Sequence, residues 1–479
     1  MAEQRIVEGG LGWDASLLAL EERHRSWRGL PIGQRRAAIR KLRALVSREA
    51  RPIAEAISRE RGRALMESLS QEVLAVLEMA LFSEKHMPRW LAPRSVSCWS
   101  PGFWQKKTRL HFEPLGTVLV LAPRNFPFSL GMMSLIYLAL AGNSVLLKPA
   151  EESSLVGPWL ADLLRRSGLE EAGAAAVFTG DAKVGARLVE HPAIRKVFFF
   201  GGRVGGAAVN ALCARHAKSR VLEMGGGSAA FVGREADLDL AATGLAWSSF
   251  YARGQSCVAT ERIYVEQEVA GEFCERFVRR VEALALEPGN CAGPRVYTPR
   301  DIDRFENLLA DARSHGAVVP AGGKPLQPEN SGHGAWPPSV ITNAATHMKV
   351  FREEIFGPLV AIASVPQLED AVDDFNRRGL DLGASVWSRN GRRALRLAGS
   401  LQSRMIWTND SSFGLPGLPW GGQGKTGQGS LFSNFSLHEA VQYRWISSHP
   451  GWSSRPRFWW HPYTPFKEKV LLALARYRY

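Results

Sequence analysis

Cys257 stands in the run Ala252-Arg253-Gly254-Gln255-Ser256-Cys257-Val258-Ala259-Thr260, a stretch of small residues after a helical segment where a thiol can stay accessible for nucleophilic attack. Glu223 follows a short β-rich run at 220–222 and precedes Met224-Gly225-Gly226-Gly227, so its carboxylate is expected at a strand end beside a flexible turn. Asn125 lies in Pro123-Arg124-Asn125-Phe126-Pro127, where the first long strand closes. Singly, a free cysteine is usually a small buried hydrophobe and a glutamate a solvated charge. Together, a thiol, a carboxylate and an amide are the nucleophile, base and oxyanion donor that acyl chemistry needs. Order along the chain does not by itself bring them together in space.

The elements that must position them follow from periodicity. From Leu115 onward, β-rich apolar runs at 117–122, 144–148, 175–178, 196–200 and 220–222 alternate with helical stretches. Between the second and third, residues 154–169 place Leu155, Trp159, Leu160, Leu163 and Leu164 on one face, with Ser153 or Ser154 expected to cap the first turn. Strand, helix, strand in succession implies a parallel sheet covered by helices on both faces. A second α/β pattern starts after Gly227 and runs to about residue 420, with a helix near 268–284 and a Gly/Pro-rich break around 321–338. Two α/β domains with a ligand cleft between them are therefore expected. The first hundred residues read as helices. The most apolar run, 130–141, falls short of the roughly 20 residues that span a bilayer and reads as a buried helix.

At 479 residues and 45% apolar, the chain can bury a large core. Its five cysteines (Cys98, Cys213, Cys257, Cys274 and Cys291) are widely spaced, with no CxxC pair, which argues against a disulfide framework or a zinc site and fits a reducing compartment. No apolar leader follows Met1, so no secretory signal is expected. The formal charge of +14 invites a nucleic-acid reading. However, many arginines between Arg23 and Arg63 are interleaved with Glu21, Glu22, Glu49, Glu55 and Glu60, the pattern of solvated helix faces, and no groove-reading motif accompanies them. Neither nucleic acid nor a metal ion is expected as a partner. The end of the chain differs in character: aromatic, proline-rich residues 458–465 lead into a short basic helix with Phe466, Val470, Leu474 and Tyr477 on one face, flanked by Lys467, Lys469, Arg476 and Arg478. Such a segment covers a substrate mouth, touches a membrane surface, or packs as an interface helix.

Between about Glu113 and Ser447, an ordered set of segments resembles the aldehyde dehydrogenase superfamily. They are Glu113-Pro114-Leu115-Gly116, Pro123 to Pro127, Lys148-Pro149-Ala150-Glu151, Phe200 to Gly206, Glu223 to Gly226, Gly254 to Cys257, Glu353-Glu354-Ile355-Phe356-Gly357-Pro358 and Pro419-Trp420-Gly421-Gly422. The resemblance implies two doubly wound α/β domains, one for cofactor and one for catalysis, plus a small β bridging and oligomerisation element. The expected division is 1–97 with 114–224 for the cofactor, 225–420 for the nucleophile, 98–113 with 438–449 for bridging, and 450–479 as tail. It implies that Cys257 attacks an aldehyde, that Asn125 and the Cys257 backbone N–H hold the oxyanion, and that Glu223 activates the water that hydrolyses the thioester. It further implies that Lys148 and Glu151 bind the adenine ribose, Gly201, Gly202 and Gly205 admit the pyrophosphate, Glu354 holds the nicotinamide ribose and Phe356 packs near the ring. A carboxylate beside the ribose repels a 2′-phosphate, so NAD is favoured, with NADP as the alternative.

Three positions depart from the family pattern: Arg124 replaces a tryptophan, Phe200-Gly201-Gly202 replaces Thr-Gly-Ser, and Gly227 replaces a lysine. All three bear on cofactor contacts rather than on nucleophile, base or oxyanion donor. The short N-terminal region and the tail resemble the class acting on fatty and aromatic aldehydes, which implies a hydrophobic aldehyde. Resemblance also implies a homodimer or homotetramer, assembled through a hairpin before Pro114 and a strand near 439–447. A cytoplasmic protein is expected, peripheral to a membrane if the tail binds lipid. One rival is a CoA-acylating or acyl-phosphate-reducing dehydrogenase, whose relatives generally do not use the glutamate base. The other is a non-catalytic scaffold on the same fold.

Overall fold

Each β-rich run read from the sequence forms a strand of a six-stranded sheet, ordered Gly427–Gln428, Ser219–Glu223, Ile194–Phe200, Thr117–Leu121, Ser144–Lys148 and Ala175–Val177. All neighbours are parallel except the first pair. Strands Thr117–Leu121 and Ser144–Lys148 are buried along their whole length, as a sheet covered on both faces requires. Because the strands run parallel, the segments after Leu121, Phe200 and Glu223 all emerge at one end of the sheet. This computed structural model describes residues 13–97, 106–286, 297–326, 335–379, 382–411, 414–449 and 458–478. Cys98, Cys291, residues 98–105 of the expected bridging element, 327–334 of the Gly/Pro-rich break and 450–457 of the tail lie outside the described residues.

The second α/β pattern forms a seven-stranded sheet, ordered Val318–Ala321, Ser339–Thr342, Leu359–Val365, Thr260–Glu266, Ser228–Val232, Gly383–Trp387 and Met405–Thr408, parallel except for its first pair. Phe231, Tyr264, Phe305, Phe351 and Phe375 fill the core on one face of it. Both sheets belong to one compact unit, residues 1–90 and 114–440. A second unit, 91–113 and 441–479, contains a three-stranded sheet of Arg94–Val96, Lys107–Pro114 and Val441–Ser448. Glu113 pairs with Arg444 there, and Phe112 meets Tyr443 edge to face.

The N-terminal region is helical as read, with Trp13–Gly29, Ile32–Arg48, Ala50–Arg61 and Ala75–Trp90 as its longer pieces. Two details differ from the sequence reading. Helix Val156–Ser167 is not capped by Ser153 or Ser154: the Glu60 carboxylate accepts from Leu155 N at 2.7 Å and Val156 N at 3.0 Å, a charge-assisted cap from a distant helix. Nor are all arginines of the N-terminal stretch solvated. Arg63 is buried and paired with Glu72, whose Oε2 accepts from Phe128 N at 3.0 Å and Ser129 N at 2.7 Å. The buried charge is compensated at both ends, as burial requires.

Candidate active site

Cys257 follows three consecutive left-handed residues, Ala252, Arg253 and Gly254 (φ 47°, 60° and 70°), which reverse the chain between helix Leu238–Phe250 and strand Thr260–Glu266. Such backbone persists only where the surroundings over-determine it. Here Ala252 N donates to Glu67 and Tyr297 Oη donates to Arg253 O at 2.8 Å. At Gly254 a Cβ would lie 2.0 Å from Gly357 O, so only glycine fits. Asn125 Nδ2 donates to Gln255 O at 2.8 Å, two residues before the thiol. The loop carrying Asn125 is itself gripped by Arg63 Nη1, 3.4 Å from Asn125 O, and by Glu72 at Phe128 and Ser129.

Two cavities meet at Cys257. One, of about 420 Å³, is lined by Asn125, Gly201, Gly202, Glu223, Glu354 and Phe356 among others. The other, of about 280 Å³, is walled chiefly by apolar and aromatic side chains, including Met79, Phe126, Met133, Tyr251, Leu415 and Phe432. Cys257, Leu130 and Trp420 line both. The thiol therefore borders both cavities, with the carboxyl groups of Glu223 and Glu354 in the wall of the larger.

Glu223 ends strand Ser219–Glu223 and is buried, and neither of its carboxylate oxygens makes a hydrogen bond. Burial pushes its pKa up to about 8; the Gly422 N–H, nearby but short of a hydrogen bond, and the charge of Arg404 offset only part of that cost. The Cys257 thiol is pushed up to about 12, by burial first and then by the Glu223 and Glu354 carboxylates. Glu354, raised by burial, accepts from Gly226 N at 2.8 Å. Uncompensated carboxyl groups facing a cavity are a hallmark of sites that use protonation changes.

The larger cavity also meets an open helix N-terminus. Gly202 is the N-cap of helix Arg203–Arg215, with no side-chain cap and nothing within 4 Å of the position its Cβ would take, so the first N–H groups of the helix are open to an anion. A Cβ at Gly201 would lie 2.6 Å from Phe199 Cζ, so a side chain there would have to displace that ring. The turn is shorter than the sequence implied: Gly205 already sits inside the helix, against Phe199, and does not line the cavity. Lys148 and Glu151 do not line it either, although their neighbours Ala150 and Glu152 do. Lys148 is buried, its Nζ on Pro149 O at 3.2 Å and its pKa lowered by burial, with Glu151 the largest opposing charge.

Several residues at the site escaped sequence reasoning. Trp420 and Arg304 line the larger cavity, Glu72 and Arg63 hold the Asn125 loop, and Glu261 grips the segment bearing Glu354. Trp420 lies within a recognised motif and had a signal; the charged residues resembled surface positions because their partners are remote in sequence.

The profile of the Aldehyde dehydrogenase family matches residues 14–446. The chain is 33% identical over 408 residues to the 4,4'-diapolycopene aldehyde oxidase of a Methylomonas species, covering 84% of this chain and 75% of that protein. It is 28% identical over 462 residues to peroxisomal aminoaldehyde dehydrogenase 1 of Pisum sativum, covering 94% and 90%. Among solved structures, an aldehyde dehydrogenase from Brucella melitensis superposes with a TM-score of 0.84 at 27% identity, covering 91% of this chain and 89% of that one.

Proposed function

The chain belongs to the aldehyde dehydrogenase family, whose reaction is the NAD(P)-dependent oxidation of an aldehyde, and from that premise we propose that it converts a hydrophobic aldehyde to the free acid through Cys257, Asn125 and Glu223. The carrying observation is the junction of the two cavities at Cys257, with the unpaired Glu223 carboxyl in the wall of the larger one. The aldehyde enters from the apolar cavity and the deprotonated thiol adds to its carbonyl carbon. One N–H of the Asn125 amide is taken by Gln255 O, which leaves the second, with the Cys257 backbone N–H, for the thiohemiacetal oxyanion. Hydride acceptance is the chemistry that a bound nicotinamide supplies. Glu223 then takes a proton from the water that attacks the thioester, and the adduct expels the acid with Cys257 restored as the thiolate.

In this reading Lys148 and Glu151 hold the adenine ribose just beyond the cavity lining, Gly201 and Gly202 border the pyrophosphate with Gly205 behind them in the helix, and Glu354 and Phe356 face the nicotinamide half. Glu151 supports NAD before NADP. The apolar wall of the smaller cavity supports an aliphatic or aromatic substrate, in line with the polyene aldehyde named for the Methylomonas relative. The exposed Glu78 carboxylate in that wall favours a second reading, an aminoaldehyde as named for the pea relative. A panel of alkyl, aryl and ω-amino aldehydes, with NADH absorbance and free acid measured together, tests both. We expect one acid per NADH without any added thiol, and the highest kcat/KM for the apolar members. Turnover only with CoA or phosphate would sink the hydrolytic reading. Bound cofactor without turnover on any member would favour a scaffold.

The organisation proposed is a cofactor domain of 1–97 and 114–224, a nucleophile domain of 225–420, and a bridging element of 98–113 with 438–449 that assembles a homodimer or homotetramer. A cytoplasmic location agrees with Cys213, Cys257 and Cys274 being free. Among the described residues no helix is long and apolar enough to cross a membrane. Helix Pro465–Arg478 nevertheless exposes Phe466, Leu471, Leu472, Leu474 and Tyr477, interspersed with Lys467, Lys469 and Arg476, which supports either contact with an anionic lipid surface or an interface helix. Deleting residues 466–479 should abolish cosedimentation with phosphatidylserine vesicles. Equal cosedimentation of the truncated and full chains would discard the membrane contact and leave the interface helix.

A further inference from the structure

Glu261 is a fully buried carboxylate, four residues beyond Cys257, that the reaction does not use. Both of its oxygens are spent on consecutive backbone donors of one turn: Oε2 accepts from Ile355 N at 3.0 Å and Oε1 from Phe356 N at 2.7 Å. The adjoining Arg262, equally buried, takes the carbonyls of the same segment, with Nε 3.1 Å from Phe351 O and Nη2 on Glu353 O. Acid and base, 3.3 Å apart, thus bracket residues 351–356 from within strand Thr260–Glu266.

That segment needs holding. Phe356 is left-handed, with φ 47°, a conformation that bulky residues rarely adopt unless the surroundings impose it. Without the Glu261 carboxylate, two buried N–H groups would lose their acceptors and the turn would relax. Glu354 and Phe356, which this turn presents to the larger cavity, would move with it.

Gly227 explains why a carboxylate fits there. Its φ is 71°, and a Cβ on it would lie 2.6 Å from Glu261 Cδ and 2.7 Å from Oε2. The space that a side chain at 227 would take is filled by Glu261, so the departure at Gly227 and the buried acid form one matched pair.

We propose that Glu261, seated in the space left by Gly227, is the positioning residue of the nicotinamide half of the cofactor site, acting through the turn that carries Glu354 and Phe356. The inference rests on the dehydrogenase reading above. It separates two halves of the dinucleotide: the nicotinamide half depends on Glu261, and the adenosine half, remote from the 351–356 turn, does not.

The test titrates NADH by fluorescence and AMP by calorimetry into the full-length protein and its Glu261→Ala, Glu261→Gln and Gly227→Ala variants, with KM for NAD and kcat measured alongside. In Glu261→Ala the NADH Kd should rise about tenfold, the weight of one lost charge-assisted hydrogen bond, with AMP affinity kept within about twofold. KM for NAD should rise more than kcat falls. Glu261→Gln keeps one acceptor oxygen and should lie between wild type and alanine, so it carries the test if the alanine variant does not fold. Gly227→Ala should weaken NADH in the same sense, by displacing Glu261. Unchanged NADH affinity in the Glu261 variants overturns the proposal, as does equal weakening of AMP. A wild-type protein that binds no NADH overturns the dehydrogenase reading itself, whereas wild-type binding that the variants share overturns only the role of Glu261.

Discussion

A Cys257→Ser enzyme is expected to lose steady-state aldehyde oxidation by on the order of 10⁴-fold or more while binding NADH as tightly as wild type. The size of the loss follows from the environment of the thiol. Burial, with the carboxylates of Glu223 and Glu354 close by, already pushes the Cys257 pKa up to about 12. A hydroxyl, far less acidic than a thiol, cannot form the nucleophile under the same penalty. Residual turnover above about a hundredth of wild type would show that the reaction does not pass through a bond to residue 257. Thiol alkylation gives a second reading of the same electrostatics. Its rate should still be climbing at pH 10 and beyond, where an unperturbed cysteine, with a pKa of about 8.5, has already reached its plateau. Above pH 8, where Glu223 carries its charge, Glu223→Gln should accelerate that alkylation by removing one repelling carboxylate.

Glu223→Gln is expected to produce one equivalent of NADH per site and then stall, with the steady-state rate reduced by about 10²- to 10³-fold, the usual weight of a general base. The acyl-enzyme should accumulate and be detectable by mass. Added CoA should restore little turnover if water is the natural acceptor, and unimpaired steady-state turnover would remove Glu223 from the hydrolytic step. In wild type, hydrolysis should rise with pH as the carboxyl ionises around its pKa of about 8, and this limb should vanish in the variant. The same group sets a stability signature. Its folded-state pKa is raised above the ordinary carboxylate value, so the protonated folded form is favoured. Stability is highest below the unfolded pKa near 4.5 and falls as pH rises toward 8, then levels off. Glu223→Gln should therefore match wild type in thermal unfolding near pH 4.5 and exceed it at pH 8 by on the order of 4 kcal/mol. A gain that is the same at both pH values would show that the carboxyl is not the cause.

Much of the architecture was legible because it rests on local rules. Apolar β-rich runs separated by amphipathic helices can bury both faces only in a parallel, helix-covered sheet, so the strands near 117, 144, 175, 196 and 220 were readable to within a residue or two. The glycines at 201 and 254 stood out in the sequence, but what crowds them did not: Gly201 lies against Phe199 and Gly254 against the Gly357 carbonyl. What resisted was anything that depends on partners far apart in the chain. Glu60 caps a helix that starts nearly a hundred residues later, Glu72 and Arg63 grip the Asn125 loop, and Glu261 grips residues near 355, yet each looks in sequence like one more solvated charge.

Residue types and their order were enough to nominate a thiol, a carboxylate and an amide, because the chemistry of acyl transfer needs those groups whatever fold supports them. Only the folded chain brings Cys257 to the junction of two cavities, with Glu223 and Asn125 in the wall of the larger one. It alone decides that Glu223 has no hydrogen-bond partner and that its pKa rises to about 8, since desolvation belongs to a three-dimensional environment and has no counterpart in composition or spacing. The missing lysine at position 227 was plain in the sequence. Tertiary packing showed why a glycine belongs there, by placing a buried glutamate in the space a side chain would fill.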